Sequence, residues 1–153
     1  MSRNIDDLSE PMERIARAFL LECRKEGLSV AVTSTLRTED EQVALFSQGR
    51  GWLELVNLLR RRAGMKPITE AANSKTVTLC DGVNAKSRHQ GGNAMDVVLL
   101  DKFGKPIWNV ALAVADYKKM GKIAKRLGLT WGGDFTPIDP TTGIGWDAGH
   151  LEL

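Results

Sequence analysis

Residues Ala94, Met95, Asp96, Val97, Val98, Leu99 and Leu100 form an apolar, β-branched run with a single carboxylate inside it. A short apolar run of this kind reads as a buried strand. Burying a lone carboxylate is costly unless it is paired or binds a cation. Any fold this chain adopts must therefore bring a partner to the middle of that strand. One candidate lies just upstream, in the polar, glycine-rich loop Ser87-Arg88-His89-Gln90-Gly91-Gly92-Asn93. Gly91 and Gly92 let the backbone fold back, so that His89 and Asp96 can meet at one point. The only other histidine, His150, lies on a short stretch at 149–153 that reads as a last strand, and it can supply a third group.

Two neutral imidazoles and one carboxylate suit zinc, and three protein ligands leave a fourth position open for water, the arrangement of a catalytic site. Zinc lowers the pKa of such a water to about 7. Asp147, three residues before His150, can reach the same point from a turn without being a ligand and so can act as a general base. The spacing also admits a plainer reading, in which His89 caps a loop, Asp96 pairs with an arginine and His150 lies on the surface. Sets of two histidines and one carboxylate also hold non-haem iron for oxygen chemistry. The carboxylate beside the last histidine favours hydrolysis.

The rest of the chain supplies the frame. Its 153 residues and 42% hydrophobic content fit one domain over 1–153. The 21 Lys+Arg against 19 Asp+Glu leave a net charge of +2, which excludes a strongly basic nucleic-acid coat. Arg60-Arg61-Arg62 reads as a solvated helix end, where cations favour the dipole. No apolar stretch is long enough to span a membrane, and the N-terminus has no apolar h-region of a secretory signal, so the expected location is the cytoplasm. Cys23 and Cys80 read as buried free thiols.

Ser9 and Pro11 open a helix along Met12, Ile15, Ala16, Phe19, Leu20 and Cys23, ended by Gly27. Residues 28–35 read as a strand. Thr38 with Glu41 is a capping box for a helix ended by Gly49. Residues 52–62 read as a helix with Trp52, Leu55, Val56 and Leu59 on one face. Tyr117, Met120, Ile123, Ala124 and Leu127 mark a helix ended by Gly128, and 129–131 a short strand. Strands and helices mix without regular βαβ alternation, so the expected class is α+β, a small, mostly antiparallel sheet with flanking helices.

The pattern Ser87-x-His89-x-x-Gly92-x-Ala94-x-Asp96, followed by Asp147-x-x-His150, resembles the zinc signature of the D-alanyl-D-alanine carboxypeptidase and L-alanyl-D-glutamate endopeptidase family, which has the hedgehog/DD-peptidase fold. Leu36-Arg37-Thr38-Glu39-Asp40-Glu41-Gln42 with Leu45-Phe46-Ser47-Gln48-Gly49-Arg50, and Trp131-Gly132-Gly133-Asp134-Phe135, resemble the same family in the same order. The resemblance implies that His89, Asp96 and His150 hold Zn2+. It implies that Asp147 is the base, which takes a proton from the attacking water and returns it to the leaving amine. Arg37 would steady the developing oxyanion, against the plainer reading of an ion pair with Glu41. Ser87 would line the substrate site, and Arg50 would meet a substrate carboxylate as a bidentate partner.

Two stretches depart from the family pattern: 52–75 is longer and more amphipathic than the short glycine-rich connection of relatives, and Gly143-Ile144-Gly145-Trp146 replaces a more charged or proline-bearing sequence. The implied activity is a zinc-dependent peptidase of bacterial peptidoglycan, cutting the L-Ala–D-Glu bond of stem peptides. The small size resembles single-domain phage endolysins, which wait in the cytoplasm until another protein opens the membrane. A monomer is expected, with no nucleic acid and no membrane insertion. The alternatives are a D-alanyl-D-alanine carboxypeptidase or dipeptidase, and a zinc-stabilised wall-binding module without turnover. A module of that kind has no need of Asp147.

Overall fold

A computed structural model describes all 153 residues. Helix α1 (Glu10–Lys25) starts after Ser9 with Pro11 in its first turn, but the Ser9 hydroxyl donates to Asn93 Oδ1 at 2.6 Å instead of capping the helix. Met12, Ala16, Phe19 and Cys23 form one buried stripe at helical spacing. Burial pushes the Cys23 thiol up to about 12, with the charges of Glu26 and Glu22 adding to it, so this cysteine is an inert core residue.

Strand β1 (Val30–Ser34) is shorter at both ends than the 28–35 stretch suggests. The capping box forms as read: Thr38 Oγ1 accepts from the Glu41 amide, and the Glu41 carboxylate accepts from the Thr38 amide. It opens α2 (Glu39–Ser47). Helix α3 (Leu53–Arg62) and the single turn α4 (Glu70–Asn73) follow.

The helix read at 52–62 forms over Leu53–Arg62, but its apolar face is largely uncovered. Trp52 is the residue that precedes α3 and is 83% exposed, Leu55 is exposed too, and Val56 is the only buried residue of the helix. Helix α3 packs mainly on α2 and α4, and only a narrow strip of it is covered. Residues 74–87 form no helix or strand. Cys80 lies there and is half-buried, not buried as expected, because that segment borders a cleft and not the core.

Strand β2 (Ala94–Leu99) is central. Beyond it come α5 (Val114–Arg126), β3 (Thr130–Trp131), β4 (Ile138–Asp139), β5 (Ile144–Gly145) and β6 (His150–Glu152). The main sheet has the order β1-β2-β6-β3 with every pair antiparallel, and β4 and β5 form a separate two-stranded pair. The molecule is α+β with a small antiparallel sheet and flanking helices. Met95, Val97 and Leu99 join Phe19, Met120, Ile123 and Leu151 in the core. The two-residue period of a strand then turns Asp96 to the opposite face. The carboxylate that interrupts the apolar run therefore costs the core nothing. No helix is long and apolar enough to cross a membrane.

Candidate active site

Strand register alone brings two of the predicted groups together, since Asp96 on β2 is the direct cross-strand partner of His150 on β6. His89 arrives from the 3-10 turn Arg88–Gly91 that leads into β2. Ser87 caps this turn, its Oγ accepting from the His89 amide at 3.4 Å while its own amide donates to Gln90 Oε1 at 2.9 Å. Gly92, and not Gly91, makes the fold-back: its φ is +69°, and a Cβ there would stand 2.8 Å from the Ser9 amide nitrogen.

His89 Nε2 lies 3.2 Å and His150 Nδ1 3.0 Å from the same oxygen, Asp96 Oδ1. The outer nitrogen of each ring is also engaged. His89 Nδ1 stands 2.7 Å from the Thr35 carbonyl, to which it can only donate. His150 Nε2 stands 3.0 Å from Glu152 Oε2. Each imidazole, when neutral, therefore turns a lone pair toward Asp96, the tautomer that an outer partner fixes in metal-ligating histidines.

Tetrahedral zinc with bonds of about 2.0–2.1 Å places its ligand atoms about 3.3 Å apart. The three donor atoms here lie within 4.8 Å of one another, and the two nitrogen–oxygen distances need only small changes. The set fits zinc.

The electrostatics are those of a cation site. Burial pushes the Asp96 carboxyl up, but hydrogen bonds from His150 and His89 outweigh it and hold the group well below the usual carboxylate range. Burial lowers the pKa of His150, yet the hydrogen bond and charge of Asp96, with Glu152, raise it to about 9. Asp147 is half-buried in the turn before β6, where its carbonyl accepts the His150 amide at 2.9 Å. Burial raises its carboxyl above the ordinary value; Asp96 adds to this, while His150, His89 and Arg37 oppose it. Arg37 is buried, with Nη2 3.5 Å from Asp96 Oδ2 and Nη1 donating to Gln42 Oε1 at 2.8 Å. These groups line one cleft of about 610 Å³.

The profile of the family described as D-alanyl-D-alanine carboxypeptidase matches residues 81–153, the span that holds His89, Asp96, Asp147 and His150. Over that span the chain is similar to this peptidase family. It is 29% identical over 152 residues to the peptidoglycan L-alanyl-D-glutamate endopeptidase CwlK of Bacillus subtilis (strain 168), covering 96% of this chain and 74% of the relative. Its fold is that of the LdcB LD-carboxypeptidase (TM-score 0.58, 19% identity, 95% of this chain and 58% of that one). The D,D-pentapeptidase VanY of a VanB-type vancomycin resistance cassette, solved with Zn(II), also shares it (TM-score 0.56, 19% identity, 95% of this chain and 72% of that one).

Ser87 lines the cleft, as its motif position suggests. Arg50 does not. Its guanidinium donates to the carbonyls of Phe46 at 2.7 Å and Thr78 at 3.0 Å and lies 4.0 Å over the Phe46 ring. It staples α2 to the cleft wall at Thr78. The ion pair of Arg37 with Glu41 does not form either, because Glu41 is taken by the N-terminal amine and by its cap to Thr38. The long 52–75 stretch packs against α2, and only its continuation at 76–80 reaches the cleft.

Two further residues take part that the sequence alone does not single out. Gln42 is fully buried, and its Nε2 donates to Thr78 Oγ1 at 3.1 Å and to the Cys80 carbonyl at 2.8 Å while its Oε1 holds Arg37. Glu152 orients His150, and the signal for it was the two-residue spacing that puts both side chains on one face of β6.

Proposed function

We propose that this chain is a zinc-dependent peptidoglycan peptidase that hydrolyses the L-Ala–D-Glu bond of stem peptides. The observation that carries the reading is the convergence of His89 Nε2, His150 Nδ1 and Asp96 Oδ1, each imidazole held from behind, with Asp147 and Arg37 on the same cleft. Zinc in such a site polarises a carbonyl and brings the pKa of water to about 7. The protein does the rest.

Asp147, whose carboxylate accepts no hydrogen bond from the chain and whose pKa is raised, takes the proton of the attacking water and hands it to the leaving amine. Arg37, fixed by Gln42, donates to the carbonyl oxygen as negative charge grows there. Ser87 holds His89 in place through its cap and faces the substrate. The endopeptidase specificity is supported by the likeness to CwlK across 96% of the chain. A D-alanyl-D-alanine carboxypeptidase is the second reading, favoured by the description of the matching family. The lytic role of a phage endolysin, a monomer kept in the cytoplasm until the membrane is opened, is supported by the resemblance of the sequence to such enzymes.

Mass spectrometry of fragments released from purified peptidoglycan separates the two specificities. The expected product is a stem with a new D-Glu amine, leaving L-Ala on the glycan. Release of free D-Ala from pentapeptide stems, with no new D-Glu amine, would assign the carboxypeptidase.

A further inference from the structure

A second groove, of about 720 Å³, opens beside the cleft between residues 36–39 and 86–93. Arg37, Lys86, Ser87 and Arg88 line both hollows, so the two share an edge, and three of the four residues on that edge are cations. Arg37 is buried and committed to Gln42 and Asp96. Lys86 and Arg88 are exposed. The ion pairs of the molecule lie elsewhere on its surface or inside the histidine–aspartate cluster, so both cations are free for a ligand. Leu36 is the only apolar residue of the second groove and Glu39 its only acid. A polar hollow entered past two unpaired cations suits an anionic peptide. Arg50, the cation that the sequence offered for that task, is spent on backbone carbonyls.

The chemistry of the stem peptide, on the functional reading above, says which anion this is. D-Glu is joined onward through its γ-carboxyl, so its α-carboxylate stays free on the carbon next to the scissile nitrogen. The terminal residue of D-Ala-D-Ala carries its carboxylate in the same place. We propose that Lys86 and Arg88 form the subsite for this α-carboxylate and so select substrates with a free acid immediately after the scissile bond. Arg88 offers a planar fork that fits a carboxylate, and Lys86 a point charge. The second groove leaves room for the chain that continues from the γ-carboxyl. Both cations face solvent, so screening keeps the effect modest.

The test uses two synthetic stem peptides that differ at one group, the D-Glu α-carboxylate or its carboxamide. The zinc-loaded full chain should cut the acid with kcat/KM about tenfold higher, mainly through KM. In Lys86→Ala/Arg88→Ala the ratio should fall to near one, and Arg88→Lys should keep part of it, with zinc content and thermal unfolding as in the parent. A double variant that keeps the parent ratio overturns the subsite, as does a parent that cuts both stems equally well. A parent that cuts neither stem sinks the functional reading, and the subsite with it.

Discussion

Asp96 combines two demands that usually exclude each other, a place within an apolar strand and a charge. The strand period reconciles them, because Met95 and Val97 enter the core while Asp96 turns to the cleft. Once there, the carboxylate is held by two imidazoles whose far nitrogens are already bonded, so the cluster is pre-oriented. Asp147 differs in that none of its side-chain oxygens is engaged, which leaves it free to move a proton. Asp147→Asn should therefore retain zinc and the fold while kcat falls by about 10²–10⁴-fold, the usual worth of a general base. Zinc content measured beside turnover checks this, and equal loss of both would make Asp147 a ligand. At this scale the sequence revealed the groups whose chemistry is out of place locally: a charge in a strand, histidines beside glycines, an acid three residues from one of them. It did not reveal the contacts of Arg50 and Gln42, which depend on what the irregular 74–87 segment brings beside them. Thr78 and Cys80 become their partners only through tertiary folding.

Among the elements, those with local signals were legible. The capping box of α2, the stripe of α1 and the strand at 94–100 follow from propensity and period. Helix α3 shows the limit, since an amphipathic pattern reports a face that could be buried and not whether anything covers it. Gly121 shows another. A glycine inside a helix costs about 1 kcal/mol relative to alanine, and α5 carries it because a Cβ there would lie 2.3 Å from the Trp131 ring. Trp131 in turn donates from Nε1 to the Ala148 carbonyl at 2.9 Å, tying α5 and β3 to the turn that presents Asp147 and His150. Gly121→Ala should gain helix propensity but lose more to overpacking, a net destabilisation of about 1–3 kcal/mol. A thermal melt lowered by several degrees checks this; a melt at or above that of the parent would mean that α5 can slide off Trp131 freely.

Over the whole molecule the sheet divides two tasks. One face meets α1 and α5 and supplies the core, and the other carries the His89–Asp96–His150 cluster beneath a cleft whose walls come from 76–80, from the turn at 86–89 and from Trp146. The sequence disclosed this division because the histidines, the strand acid and the last turn fall in the order of a known peptidase family. It did not disclose the cleft walls, because they are built by loops with no period of their own. The near-balance of charge, +2 over 153 residues, also hid the local clustering of Arg37, Lys86 and Arg88 along one edge. The central claim is that His89, Asp96 and His150 hold a zinc ion on which cleavage of stem peptides depends. The most direct measurement is the cleavage rate of purified stem peptides before chelation, after it, and after zinc is returned. Activity should vanish with the metal and return with about one equivalent of zinc per chain in the parent, and not in His89→Ala, Asp96→Ala or His150→Ala. Full cleavage by the metal-free parent would contradict the account.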